Sequence, residues 1–387
     1  MPGTTASPKV AVVVDWLNQL GGAELVVREI LATFPGATLY TLFDTMRPDD
    51  RARISSEPSV TSYLQKLPDI GTRYRSLLPV MVHAIGTLDL SSADVIISSH
   101  HSVAKGIRKH AGQFHLCYCH SPMRYAWDKR EAYLEDHGIR GVKAAVARAL
   151  LERIRTWDLT VADRVDRFVV NSRYVGDRVR RHYGRDFVVI HPPVDLEFFT
   201  PDRSIARDPN IYVTASRQVP YKRIDRIVEA FRTLPERRLV VIGDGPQHAR
   251  LRELVADAPN ISLLGELSRE AMRDWFRRAR AFVFAADEDF GIVPLEAQAC
   301  GTPVIALGQG GALETVNGYE GPDRTGQYFP DDQPSTIAEA VRRFEALTIP
   351  PTAEACRANA ERFDAMGFRT ALRQEVEQGL AGLRSEM

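Results

Sequence analysis

EDFGIVPLEAQACGTPVIA, residues 288–306, places one carboxylate, Glu288, in an apparent loop and a second, Glu296, just inside the helix that follows. Upstream, AFVFAAD ends at Asp287 and is continuously apolar, which reads as a buried strand. Pro294 has a fixed φ suited to a first helical turn, and Gly301-Thr302-Pro303 stops the helix. PVIALG then supplies a second apolar strand. The unit is strand, loop, helix, turn, strand. A helix N-terminus carries free N–H groups and partial positive charge, so it receives phosphate. Carboxylates beside such a site are poor phosphate ligands but good acceptors for sugar hydroxyls. Two glutamates complementing a helix dipole would look the same locally, so the rest of the chain has to decide.

The same rhythm extends in both directions. KVAVVVDW opens the chain and GGAELVVREILATF follows with apolar residues at helical spacing. ADVIISSH, FHLCYCH and DRFVVNS are strands, the last followed by the helix YVGDRVRRHY. FVVIHPPVDLEFFTPD has three prolines and no helical period, and reads as a boundary. Beyond it the pattern restarts with NIYVTAS, IDRIVEAFRTL, RLVVIGDG, ARLRELVAD, ISLLGEL and REAMRDWFRRA. Repeated βα units with continuous apolar strands mean parallel sheets covered by helices on both faces. The expected fold is α/β: two Rossmann-like, doubly wound domains facing a central cleft. Residues 1–195 form the first, completed by a C-terminal helix over 366–387, and residues 196–365 form the second. Open sheets of this class bind ligands beyond the carboxyl ends of their strands, so the useful residues should follow strands.

Composition narrows the class. A chain of 387 residues with 44% apolar and 26% charged residues is a globular protein of two or more domains. Fifty acidic and fifty basic side chains cancel, so nothing points to nucleic acid. Residues 1–9 are small and polar and read as a frayed start without a signal segment. No apolar run nears the roughly 18 residues of a membrane span, and the expectation is a cytoplasmic protein. FHLCYCHSP holds His115, Cys117, Cys119 and His120, all zinc-ligand types. On a strand, the first three share one face at about 6.6 Å per pair. The outer two are then about 13 Å apart, too far for ligands at about 2.0–2.3 Å from one zinc. No metal site is expected.

Candidate residues follow the strand ends. Asp15 and the turn Gly21-Gly22 come after the first strand; the glycines permit close backbone approach and positive φ. The spacing of a dinucleotide fingerprint is absent. After NIYVTAS, the loop RQVPYKRID carries Arg217 and Lys222, two cations able to clamp a diphosphate. GDGP, residues 243–246, is a tight turn after the next strand. His120 leaves its strand into a loop with Arg124, Trp127 and Asp128, and Lys105 lies near a comparable strand end. Leu263, Leu264 and their neighbours in ISLLGEL could line a purine or pyrimidine slot.

GGAE, RQVPYKRID, IGDGP and the E-x7-E of residues 288–296, in this order and spacing, resemble the retaining glycosyltransferases of family GT4, which have the GT-B fold. CHSPMRYAWD and SSHHSVAKG look like the subgroup containing bacterial O-antigen mannosyltransferases. The resemblance covers nearly the whole chain. It implies that Glu288 and the backbone N–H groups after Phe290, through Gly291, Ile292 and Val293, hold donor-sugar hydroxyls and phosphate. Glu296 would accept the nucleotide ribose hydroxyls, and Arg217 and Lys222 would offset the charge of the leaving diphosphate. Gly22 would approach that diphosphate and His120 the transferred sugar. The implied donor is GDP-mannose, with a UDP-sugar as the alternative and no cofactor or divalent metal. The implied acceptor is a saccharide, free or on a polyprenyl diphosphate, in surface polysaccharide synthesis. Retention could come from a covalent intermediate or from same-face attack, and the resemblance implies same-face attack without a protein nucleophile. One departure is TAS before Arg217, where many members carry a glycine. A nucleotide-sugar epimerase on the same architecture would need no acceptor.

Residues 138–157, GIRGVKAAVARALLERIRTW, read as a helix with Val142, Val146, Leu150 and Ile154 on one stripe and Leu151 and Trp157 beside it. Arg140, Lys143, Arg148, Arg153 and Arg155 oppose a single acid, Glu152. Such a helix packs on a sheet or lies on an anionic leaflet, and the second option would put the protein at the inner face of the plasma membrane.

Overall fold

Strand β1 (Val10–Val14) is buried at every position, because an all-Val/Ala segment with helices on both faces has no side that meets water. The computed structural model describes residues 8–128, 130–131 and 140–386. Most of the start expected to fray, and residues 138–139 of the expected basic helix, lie outside the described residues. The chain divides into two units, Met1–His191 with Met366–Met387, and Pro192–Ala365.

The first unit is a seven-stranded sheet in the order β3-β2-β1-β4-β5-β6-β7. The strands are β1, β2 (Thr38–Thr41), β3 (Val60–Thr61), β4 (Val95–His100), β5 (Phe114–Cys119), β6 (Arg167–Val170) and β7 (Phe187–Val189). Every pairing is parallel, with Val14 opposite Ser99 in the β1–β4 pair. Ala11, Val13 and Ile96 feed one apolar layer, while Val12, Val14, Val95 and Ile97 feed the other. The helix Ala365–Glu386 joins that second layer through Phe368, Leu372 and Val376. Arg369 clamps it by hydrogen bonds of 2.8 and 2.6 Å to Glu29.

The second unit is a six-stranded sheet in the order β10-β9-β8-β11-β12-β13. Its strands are β8 (Asp208–Ala215), β9 (Arg238–Ile242), β10 (Ile261–Gly265), β11 (Ala279–Phe284), β12 (Val304–Leu307) and β13 (Gly326–Phe329), all paired in parallel. In each unit the order of winding reverses once, between β1 and β4 and between β8 and β11, and an open sheet offers its ligand crevice at such a reversal.

The short strands β2, β3, β7 and β13 escape the sequence reading. Residues 187–189 were read as part of a boundary; they form an edge strand whose side chains are only half-buried, so their apolar signal is weak. The basic helix spans Gly141–Ala162. Leu151, Ile154, Asp158, Val161 and Ala162 are buried, and Trp157 packs beside Ile154. The expected stripe therefore splits: Ile154 turns inward, while Val142, Val146 and Leu150 stay 81%, 55% and 40% exposed. Among the described residues no helix is long and apolar enough to cross a membrane.

Candidate active site

In the second unit, β8 and β11 lie side by side at the reversal, and the loops that leave them carry the charged residues. Lys222 closes a short 3-10 turn, Pro220–Lys222, and its Nζ pairs with Glu288 Oε1. The two side chains are only 15% and 17% exposed, so each limits the solvation of the other's charge and the pair is held in place. Arg217, five residues earlier, is exposed on the same loop. The helix Ile292–Ala299 opens at Gly291, whose φ of 87° is left-handed. Glu296 lies one turn further in and is 8% exposed. Burial raises its carboxyl to about 7, against the pull of Arg269. Phe290 is buried, Ile292 and Val293 are half-buried, and Leu264 is 37% exposed at the end of β10.

Glycines hold these loops together. Gly243 has a φ of 116°, and a Cβ there would stand 2.0 Å from the Ser216 carbonyl oxygen. Buried Gln218 stitches the two loops: its N–H donates to Asp244 O at 2.8 Å and its Nε2 to Gly243 O at 2.7 Å. Gly308-Gln309-Gly310-Gly311 does the same for the Glu288 loop. Gly311 N–H donates to Glu288 O at 2.8 Å, and a Cβ on Gly311 would sit 2.3 Å from Phe290 Cα. The sequence reading missed both Gln218 and this glycine loop; the doubled glycine after β12 was the available signal.

In the first unit, the helix after the glycine pair spans Gly22–Thr33. Gly21 is extended, with φ −141° and ψ −169°, and Gly22 is not among the positive-φ glycines, so neither uses the positive φ a glycine permits. Gly21 N–H instead donates to Glu24 Oε2 at 2.9 Å. His120 Nε2 shares a hydrogen bond of 2.8 Å with Ser99 Oγ, and its ring meets the edge of Tyr118. Burial, reinforced by His101, lowers its pKa to about 3, so the ring is neutral.

Three acceptor candidates are occupied by the fold. Asp15 is buried at the end of β1 and accepts from the main-chain N–H groups of His101, Ser102, Val103 and Ala104, and from His101 Nδ1 at 2.9 Å. Burial opposes its charge, but His101 and these donors hold the carboxyl well below the usual range. Its oxygens are committed, which corrects the expectation that it meets an acceptor. Lys105 is likewise corrected: its ammonium is wholly buried against Asp158. Asp158 also accepts from Trp127 Nε1 at 2.8 Å and Tyr183 Oη at 2.7 Å. Asp128 is bound by Arg178 and by His182 at 2.9 Å, and these bonds, His182 foremost, lower its pKa to about 2. Trp127 stacks on His182 and under Arg155. Arg124 is half-buried. Cys117 and Cys119 lie in an apolar cluster while His115 binds Ser98, and no group of three metal-ligand types occurs among the described residues.

Comparison with known proteins relates both halves of the chain to glycosyltransferases. Residues 20–198 match the model described as Glycosyltransferase Family 4, and residues 197–363 match Glycosyl transferases group 1. A D-inositol 3-phosphate glycosyltransferase of Mycobacteroides abscessus is 32% identical over 202 residues, 47% of this chain and 44% of its own length. The one from Mycolicibacterium smegmatis is 31% identical over 216 residues, 50% of this chain and 49% of its own length. The chain spans about half the length of the curated relatives it matches. Anabaena HepE, crystallised with UDP, aligns with a TM-score of 0.70 and 17% identity over 96% of this chain and 100% of its own. Sucrose-phosphate synthase from Thermosynechococcus elongatus aligns at 0.72 and 19%, over 97% of this chain and 100% of its own. Both halves carry the GT-B type of parallel-sheet domain.

Proposed function

We propose that this chain, which belongs to the GT4 family of glycosyltransferases, moves a hexosyl group from a nucleoside-diphosphate sugar to a hydroxyl of a saccharide or lipid-linked saccharide. The observation that carries the reading is the Lys222–Glu288 pair at the strand-order reversal of the second unit, with Glu296 one turn into the adjacent helix. A cation and two carboxylates there match the three parts of a nucleotide sugar. Arg217 and Lys222 offset the charge that grows on the diphosphate as the glycosidic bond breaks. Glu288 accepts sugar hydroxyls, the N–H groups at Gly291, Ile292 and Val293 take phosphate oxygens, and Glu296 accepts from the ribose. Gly243 shapes the diphosphate loop and Leu264 the base slot. In the first unit, Gly22 carries a main-chain N–H at its helix N-terminus and His120 a neutral imidazole. With charge supplied by side chains and a helix N-terminus, no divalent metal is needed.

Mannose from GDP-mannose, retention by same-face attack, and a role in surface polysaccharide synthesis rest on the subgroup resemblance of CHSPMRYAWD and SSHHSVAKG. A polyol phosphate is the second acceptor reading, favoured by the activity for which the relatives are named. The exposed Val142, Val146 and Leu150 beside Lys143 and Arg153 suit contact with an anionic leaflet at the inner face of the plasma membrane, where a polyprenyl-linked acceptor would be met.

Calorimetry with GDP, UDP and ADP in parallel, followed by an assay of acceptor-dependent nucleoside diphosphate release with and without EDTA, tests the reading. GDP should bind tightest and EDTA should leave turnover unchanged. Tighter UDP binding replaces mannose by a UDP-sugar, release without any acceptor favours an epimerase or hydrolase, and no binding at all removes the transfer reading.

A further inference from the structure

A cavity of about 1030 Å³ opens in the first unit at the amino ends of β1 and β2, between the helix Ala365–Glu386 and the turn that follows the helix Gly22–Thr33. Sites for small molecules measure about 300–1,000 Å³. Every residue that lines it belongs to the first unit. The candidate residues of this unit sit at the opposite end of the sheet: Asp15 follows the carboxyl end of β1, and the 12-residue helix from Gly22 to Thr33 is about 18 Å long. The walls are held in place. Arg369 binds Glu29 at 2.8 and 2.6 Å, Arg373 donates to Thr33 O at 3.1 Å, and Lys9 N–H donates to Asp94 Oδ2 at 2.7 Å.

The lining has an apolar part and a charged part. Half-buried Phe34, Ala37 and Leu380 pack on the second apolar layer with one side and line the cavity with the other. Lys9, Arg373 and Arg384 are exposed at its mouth with a single acid, Glu377, which leaves a surplus of two positive charges. The Lys9 ammonium and the Arg384 guanidinium form no ion pair among the described residues. No Asn or Gln side chain lines the cavity.

We propose that this cavity binds an anionic amphiphile, an apolar chain ending in a phosphate, with the chain against Phe34, Ala37 and Leu380 and the phosphate among Lys9, Arg373 and Arg384. The site is separate from sugar transfer and does not rest on that reading. The charge surplus sets the head group. A phosphate monoester carries about −1.5 to −2 charges at pH 7, whereas a carboxylate, with one, would leave a cation unbalanced. Arg373 and Arg384 offer planar N–H forks that match pairs of phosphate oxygens, and Lys9 adds a point charge. The lining also sets the tail. Without a side-chain amide and with one carboxylate, the cavity has no side chains to read a base edge or a ring of sugar hydroxyls. Its apolar wall instead takes methylenes out of water.

Calorimetry of the full chain with octyl phosphate, kept below its micelle concentration, tests the site. Octyl phosphate should bind once per chain. Octanol and inorganic phosphate should each bind at least about tenfold more weakly, because each lacks one half of the ligand. Lys9→Glu combined with Arg384→Glu should weaken octyl phosphate by at least about tenfold. Ala381→Trp, which fills the cavity from its lining without altering charge, should do the same. All three positions are exposed, so both variants should keep the wild-type unfolding temperature. Absence of octyl phosphate binding by the wild type overturns the proposal, as does octanol or phosphate binding as tightly, or wild-type affinity in either variant. Phosphatidylglycerol vesicles present the same chemistry as a surface and should not displace octyl phosphate; displacement overturns the single-molecule site in favour of a bilayer contact.

Discussion

Glu296 is the carboxyl at which the proposed ribose contact can be tested by pH. Its pKa is raised to about 7 by burial, so in the empty site much of it is protonated at neutral pH. On the proposed role, ribose hydroxyls donate to the carboxylate and favour its ionised form, so nucleotide binding would lower this pKa and release a proton below about 7. Nucleoside diphosphate affinity should therefore rise with pH up to that value and flatten above it, and Glu296→Gln should abolish the slope. Calorimetry in buffers of different ionisation enthalpy reads the proton directly; an unchanged slope in the variant assigns it to another group. Glu296→Ala should weaken donor binding by about 1.5–3 kcal/mol with kcat little changed. Lys222→Ala should behave oppositely. On the proposed role, the diphosphate charge it balances grows in the transition state, so kcat should fall by about 10² or more. A loss confined to nucleoside diphosphate affinity, with kcat intact, would show that Lys222 serves binding only.

The loops that carry these residues are shaped by glycines for two different reasons. At Gly243 the backbone is left-handed and the Ser216 carbonyl fills the space a side chain would occupy. Gly243→Ala therefore combines strain of about 1–3 kcal/mol with a direct clash, and should lower both the unfolding temperature and the nucleotide affinity. Wild-type values for both would mean that the 216–218 and 243–247 loops move apart freely. At Gly21 the backbone is extended and a Cβ would meet Glu24 Oε2 at 3.0 Å, the end of a side chain that can give way. Both turns were legible as glycine turns in the sequence. Their difference was not, because it depends on a carbonyl contributed by a neighbouring strand's loop.

For the molecule as a whole, the helix Gly141–Ala162 is amphipathic twice over. Its second half seats Leu151, Ile154 and Val161 in the first unit, while its first half offers Val142, Val146 and Leu150 to solvent with Lys143 and Arg153 nearby. Arg148 is engaged by Glu131 at 2.8 Å and Arg155 covers Trp127, so the cations available to a leaflet are fewer than the sequence count. Sedimentation with anionic liposomes should show binding that weakens with salt and with Lys143→Glu plus Arg153→Glu, each basic residue contributing about 1 kcal/mol. Salt-independent or absent sedimentation would leave the helix with a purely internal role.

Apolar periodicity determined the fold class, the glycine–proline punctuation determined where loops follow strands, and the residue types in those loops pointed to a nucleotide sugar. These signals are local: a buried parallel strand must be apolar throughout, and a helix must begin and end within a few residues. Register decided the rest. It spent Asp15 on the main chain after β4 and buried Lys105 against Asp158. A carboxylate at a strand end reads the same in sequence whether it waits for a ligand or accepts hydrogen bonds from the adjoining strand's loop. Only the alignment of β1 with β4, set by packing on both faces of the sheet, distinguishes the two.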